Sequence, residues 1–338
     1  MLSTRKRFSI MTLRKPIPSY KGAMAPFLTG LVQEKRAVGY AYNKQASRLK
    51  RFNDFCLSEG YNQPALTKEI VLLWTQKQPH ENQSNRATRI SLMRVLGSYM
   101  IRMGAQAFIY PKHSESYQEN TYIPYIFTHA QLSRFFSQVD QLQANANSPF
   151  RQRIYPLLFR LLYGCGLRIS EALHLTVEDV NLSEGLLRIV GGKTDRDRLV
   201  PMAASLVEHC HAYRESVHVQ RRSNAVFFPP PRGAFLSPNT PYTVFRECLW
   251  KSGISHGGRG KGPRVHDLRH TFAVHCLKKW VIQGVDLTST LPLLSAYMGH
   301  TGLKSTQRYL RLTAELYPDI VAAVERQFGN VVLGDEKR

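Results

Sequence analysis

The run Ile154-Tyr155-Pro156-Leu157-Leu158-Phe159-Arg160-Leu161-Leu162-Tyr163, continuing into Gly164-Cys165-Gly166-Leu167-Arg168-Ile169-Ser170-Glu171-Ala172-Leu173, decides the fold. Its first ten residues read as a long apolar helix, and the flanking glycines of Gly164-Cys165-Gly166 end it. Arg168 then opens a second buried helix, with Glu171 one turn further on. Upstream, Thr128 is an N-cap for a helix carrying Leu132, Phe135, Phe136 and Val139. Downstream, Leu186 to Val190, the turn Gly191-Gly192-Lys193-Thr194-Asp195 and Leu199 to Met202 read as a β-hairpin. A helix around Ser205 to Tyr213, the loop Pro229-Pro230-Pro231 and a helix near Thr243 to Lys251 come next. A Gly-rich basic loop (Arg259 to Arg264) and three helical stretches finish the chain. The expected fold is mainly α with a small antiparallel β-sheet.

Towards the N-terminus the pattern is helical throughout. Residues 1–20 read as a basic arm, 21–110 as a helical module and 111–124 as a linker. Residues 125–330 form the main domain with its C-terminal helix, and 331–338 are a tail. Within the module, Gly39 to Gly60 places Leu49, Phe52 and Cys56 on one stripe. Thr67 to Gln76 carries Ile70, Val71 and Trp74, and Ser84 to Met103 carries Ile90, Met93, Leu96 and Met100. Arg48, Arg51, Arg86 and Arg89 fall on the remaining helix surfaces, where they suit a module lying against phosphates.

The 338 residues hold 46 Lys+Arg against 24 Asp+Glu, a net charge of +22. Residues 1–124 carry +12 of this and the remainder +10, so both parts share the excess. Such a distribution suits two domains gripping one polyanion, and nucleic acid is the expected partner, ahead of an acidic membrane surface. The apolar runs, such as Ile70 to Trp74, fall far short of the roughly 20 residues of a membrane span. The basic start Arg5-Lys6-Arg7 is followed by too short and too polar a segment for a signal-peptide core. The cysteines at 56, 165, 210, 248 and 276 show no CxxC spacing. A cytoplasmic, nucleoid-associated protein is expected, without membrane contact, disulfide framework or structural zinc.

Four separated pieces carry the chemistry: Gly166 to Leu173; Lys193 in the hairpin turn; His266-Asp267-Leu268-Arg269-His270; and Met298-Gly299-His300, with Tyr309 nine residues later. In this order they resemble the tyrosine recombinase (phage integrase) family over roughly residues 125–325. The stretch Tyr309 to Tyr317 is similar to recombinases of transposon-type elements.

The resemblance implies a helical core-binding domain and a mixed α+β catalytic domain that clamp duplex DNA. It implies Tyr309 as the nucleophile, forming a 3′-phosphotyrosyl bond and a free 5′-hydroxyl with neither ATP, metal nor other cofactor. Arg168 and Arg269 match the phosphate-binding arginines, a role guanidinium forks suit because they stay charged at any working pH. Lys193 matches the lysine that protonates the 5′-oxygen. His266 and His300 match the positions that bond the scissile phosphate, and His266 is also placed to take the nucleophile's proton. Glu171 matches the acidic position and is expected to orient a catalytic side chain. Family precedent further implies a homo-tetramer on paired DNA sites, in company with other recombinases. The apolar stripe Ile320, Val321, Val324 and Phe328 fits docking on a neighbouring protomer or on its own domain.

His266 and His270 also stand at i and i+4, the spacing of a zinc pair. Asp267-Leu268-Arg269 between them lacks the glutamate of a metalloprotease and adds a cation, so zinc is discarded, and His270 and His275 are read as structural. Tyr317 lacks the histidine spacing of Tyr309. Two alternatives stay open: a type IB topoisomerase-like enzyme that relaxes DNA, and a non-catalytic DNA-binding protein.

Overall fold

The computed structural model describes residues 14–79, 81–111, 123–146, 148–190, 197–218, 223–231, 235–258, 262–300, 302, 306–310 and 312. The chain divides into two compact units, Met1–Tyr122 and Ile123–Arg338. Among the described residues no helix is long and apolar enough to cross a membrane.

The first unit contains α1 (Ala25–Ala37), α2 (Asn43–Ser58), α3 (Lys68–Thr75) and α4 (Gln83–Arg102). Apolar residues at helical spacing make its core: Leu28, Leu31 and Val32 of α1 meet Leu49 and Phe52 of α2, Val71 of α3, and Met93 and Leu96 of α4. Helices α3 and α4 start where Thr67 and Asn82 cap them, Asn82 Oδ1 accepting the Asn85 N–H at 2.8 Å. Helix α1 adds to the expected set. It has neither a side-chain cap nor an acidic first turn, and its signals are Pro26 at the start, the Leu28, Leu31, Val32 stripe, and Lys35 and Arg36 in the last turn.

Two arginines of α4 reach across to α3. Arg86 Nε donates to Thr75 O (2.9 Å), and Arg89 Nη2 donates to Gln76 O (3.0 Å). Arg89 also bonds the Trp74 carbonyl, pairs with Glu81 through Nε (2.8 Å), and lies 5.4 Å over the Trp74 ring. These carbonyls close α3, where no further helical N–H is available. Arg86 and Arg89 therefore seal a neighbouring helix end. On α2, Arg51 is exposed and Arg48 half-buried.

The second unit contains α5 (His129–Asp140), α6 (Arg151–Gly164), α7 (Ile169–Leu173), α8 (Ala204–Val217), α9 (Asn239–Lys251), α10 (Asp267–Ile282) and α11 (Leu287–Met298). Helical backbone returns at 306–310. Three antiparallel strands lie between α7 and α8 in the order β1 (Val180–Asn181), β2 (Leu186–Ile189), β3 (Arg198–Pro201). Leu187 sits opposite Val180 and Val200, all buried, so the sheet turns one apolar face to the core. The expected hairpin is thus present with one more short strand. Phe127, Phe135, Phe159 and Phe245 form an aromatic centre, with Phe135 and Phe245 ring centroids 5.2 Å apart. A second cluster packs α10 and α11 against Tyr309 and Leu310 through Val274, Leu277, Leu294 and Met298.

Gly166 makes the turn from α6 into α7. Its φ is +57°, and a Cβ there would lie 2.5 Å from the Phe272 ring. Gly166→Ala is expected to destabilise the protein by about 2–4 kcal/mol, combining left-handed strain with overpacking. Urea unfolding should show this as a lower midpoint at unchanged slope.

Candidate active site

Arg168 precedes α7 in extended backbone conformation (φ −72°, ψ 145°), and Glu171 in the first turn accepts its N–H through Oε2 at 2.9 Å. A guanidinium has no acceptor to return, so only the carboxylate half of a capping box operates here. The same carboxylate binds two side chains. Oε1 takes Arg168 Nη1 at 2.7 Å, while Arg198 brings Nη2 to Oε2 (2.8 Å) and Nη1 to Oε1 (3.1 Å). The Glu171 side chain is 2% exposed. Burial alone would raise its carboxyl, but the hydrogen bonds and charge of Arg198, with those of Arg168, outweigh it and hold the group down to about 2. Glu171 is ionised and fully engaged.

The C-terminus of α11 supplies the second set of acceptors. Tyr297 O accepts from Arg198 Nε (2.9 Å), Met298 O from Arg269 Nη2 (2.6 Å), and Gly299 O from Arg168 Nη2 (2.9 Å). Carbonyls in the last turn of a helix lack helical donors and carry the negative end of its dipole. Gly299 ends the helix in left-handed conformation (φ 65°, ψ 48°), and a Cβ on it would lie 2.8 Å from Arg198 Nη1. Glycine is required there twice over. Arg269, 1% exposed, also donates through Nη1 to Gly166 O.

Helix α10 delivers Arg269 with two histidines. His266 immediately precedes the helix, and its ring meets that of His270 at 85° with centroids 4.7 Å apart. Tyr309 is 3% exposed. Its hydroxyl lies 2.9 Å from His270 Nδ1 and hydrogen-bonds the Arg269 side chain. Its ring stacks on His300 (6.0 Å, 21°), which is itself held by Thr306 Oγ1 at 2.8 Å from Nδ1. Burial, followed by the charges of Arg269 and Arg168, lowers His266 and His300 to about 4. Burial, His266, Arg308 and Arg269 lower His270 to about 3. All three are neutral near pH 7. Burial raises the Tyr309 phenol, and Arg269 and Arg308 only partly offset this.

Of the residues expected from sequence, Arg168, Glu171, His266, Arg269, His300 and Tyr309 come together. Lys193 lies outside the described residues, as do Tyr317 and the stripe from Ile320 to Phe328. Arg48 and Arg51 belong to the first unit. Two participants were not foreseen. Arg198 is one of several basic residues after Lys193, and nothing in its spacing marks it. His270 had a signal in its i, i+4 relation to His266, but the neighbour that matters is Tyr309. Among the described residues no group of three His, Cys, Asp or Glu side chains is placed to hold a metal ion.

Residues 127–315 match the phage integrase family. A candidate integrase/recombinase of Sinorhizobium fredii, y4rB, is 28% identical over 88% of this chain and 95% of that protein. Tyrosine recombinase XerA of Pyrococcus furiosus is 34% identical over 50% of this chain and 53% of its own. Among solved structures, XerH recombinase bound to palindromic difH substrate, a post-cleavage complex, superposes with a TM-score of 0.58 at 17% identity, covering 93% of each chain. A lambda integrase dimer bound to a COC′ core site gives 0.60 at 14% identity, covering 84% of this chain and 94% of that one. At such identities the structural likeness speaks to the fold. The chain belongs to the phage integrase family and is a tyrosine-type DNA recombinase.

Glu171→Ala removes the carboxylate shared by Arg168 and Arg198, and a loss of about 3–5 kcal/mol is expected from breaking such a buried pair. Because the Glu171 carboxyl lies below its ordinary 4.5 in the folded state, its contribution is complete above about pH 4.5 and disappears as pH falls towards 2. The Tm difference between wild type and variant should therefore narrow on acidification, as read by thermal melting across that range.

Proposed function

We propose that the protein cuts and rejoins DNA at specific sites through a covalent 3′-phosphotyrosyl intermediate. The observation that carries this reading is the gathering of Arg269, His270 and His300 on the hydroxyl and ring of Tyr309, with the charge of Arg168 close by and His266 against the His270 ring. Attack on a phosphodiester builds negative charge on its non-bridging oxygens. Arg168 and Arg269 are assigned to those oxygens, with His266 and His300 adding hydrogen bonds. The Tyr309 oxygen bonds to phosphorus while the bond to the 5′-oxygen breaks, and Lys193 is assigned to protonate that leaving group. The phosphotyrosyl linkage retains the energy of the broken phosphodiester, so rejoining needs no nucleotide. The guanidiniums supply the positive charge that a metal provides elsewhere, so we propose that none is required.

Double-stranded DNA is the proposed substrate, held by both units through distributed basic residues that include Arg48 and Arg51. Four protomers on two sites, exchanging strands in pairs, would carry out integration, excision or transposition. The structural relatives bound to DNA support the choice of partner.

A nicked suicide substrate carrying the cognate site tests the chemistry. A covalent adduct is expected in the presence of chelator, abolished by Tyr309→Phe and retained in Tyr317→Phe. No adduct from wild type would favour a non-catalytic DNA-binding protein, and relaxation of supercoiled DNA without paired sites would favour a topoisomerase. Arg168→Ala should bind DNA within a few-fold of wild type yet cleave about 10²–10³-fold more slowly, since one contact among many is lost from binding. Equal losses in binding and cleavage would remove Arg168 from the transition state.

A further inference from the structure

We propose that His270 is the proton acceptor of the Tyr309 nucleophile, a task separate from the phosphate contacts assigned to His266 and His300. The geometry is direct: His270 Nδ1 lies 2.9 Å from the Tyr309 hydroxyl oxygen. The same oxygen bonds Arg269, which can only donate. The phenol oxygen therefore accepts from Arg269, and its single proton points to His270. An Nδ1 that accepts is unprotonated, so the ring carries its proton on Nε2. Burial and the surrounding cations keep the imidazole neutral.

Placement along α10 explains why one helix offers both histidines. His266 and His270 are a turn apart, with rings in contact at 85°. His266 is lowered chiefly by burial and by Arg269 and Arg168, the proposed phosphate ligands. His270 faces His266, Arg308, Arg269, His300 and Tyr309. The i, i+4 pair thus divides its work, one ring towards the phosphate and one towards the nucleophile.

This inference rests on the covalent reading given above. In cleavage the Tyr309 O–H breaks and its proton passes to His270 Nδ1. The phenol oxygen bonds to phosphorus, the phosphorus to 5′-oxygen bond breaks, and the 5′-oxygen takes a proton from Lys193. In rejoining the 5′-hydroxyl attacks, and the His270 imidazolium returns its proton to the phenol oxygen as the phosphotyrosyl bond breaks. The bound phosphate adds a negative charge near the ring, which raises its basicity when the proton must move.

Single-turnover cleavage of the nicked substrate, with either oxygen or sulfur at the bridging 5′ position, separates the roles. A sulfur leaving group needs no proton, so Lys193→Ala should recover with it. His270→Ala should bind DNA as wild type and cleave about 10²–10⁴-fold more slowly on both substrates, with partial recovery in added imidazole following the free base. His270→Asn, which keeps an acceptor near Nδ1 without basicity, should melt like wild type and remain slow. Three results would overturn the assignment: His270→Ala within threefold of wild type, full activity in His270→Asn, or recovery of His270→Ala on the sulfur substrate. Each presupposes a wild-type adduct that Tyr309→Phe abolishes. Loss of that adduct would instead sink the covalent reading itself.

Discussion

Three successive carbonyls at the end of α11 hold three guanidiniums, and the rest of the site depends on that clasp. Tyr297, Met298 and Gly299 face Arg198, Arg269 and Arg168 in turn. Gathering three cations in a largely buried place is unfavourable unless opposite charge accompanies them. Glu171 supplies one full negative charge, and the helix terminus contributes roughly half of another. The balance stays positive. Burial and the neighbouring Arg168 pull even Arg269 from 12.5 down to about 10. It remains charged near pH 7, but in surroundings that favour an anion. The proposed phosphodiester would complete such a site, and burial, together with the same excess of positive charge, keeps the histidines around it neutral.

Local sequence makes sense against that clasp. Gly299 must be left-handed to stop α11, and must lack a side chain because Arg198 occupies the space. His300 follows it directly, so the turn that exposes the carbonyls also brings the imidazole beside Tyr309. Gly166 performs a similar pair of tasks at the other end, turning the chain against Phe272 and offering its carbonyl to Arg269. The Met298-Gly299-His300 and Gly166-Leu167-Arg168 motifs are short because backbone atoms perform half of their function.

That division also explains what was legible in the sequence. Ordered side-chain motifs pointed to Arg168, Glu171, His266, Arg269, His300 and Tyr309, and apolar periodicity pointed to most helices and to the hairpin. Contacts between side chains and distant carbonyls left no such trace. Arg198 was hidden because its partners, Glu171 and the Tyr297 carbonyl, are remote in sequence and one is backbone. The contacts of Arg86 and Arg89 with the end of α3 left no trace either, because an arginine on a helix surface reads the same whether it faces solvent or the open end of a neighbouring helix. His270 was visible only as half of a spacing, and spacing along one helix cannot reveal a tyrosine 39 residues away.

The carboxylate of Glu171 has a further consequence for how the reaction is coordinated. With both oxygens engaged and its carboxyl held to about 2, it is a poor proton carrier and a firm anchor. One side of the anchor is Arg168, assigned to the phosphate. The other is Arg198, which opens β3 and pairs with Ile189 across the sheet. Lys193 lies between Ile189 and Arg198 in the chain. The strand ends that flank the assigned leaving-group acid are thus referenced to the same carboxylate as the phosphate clamp. A single ionised side chain ties Arg168, the proposed phosphate ligand, to Arg198 at the start of β3.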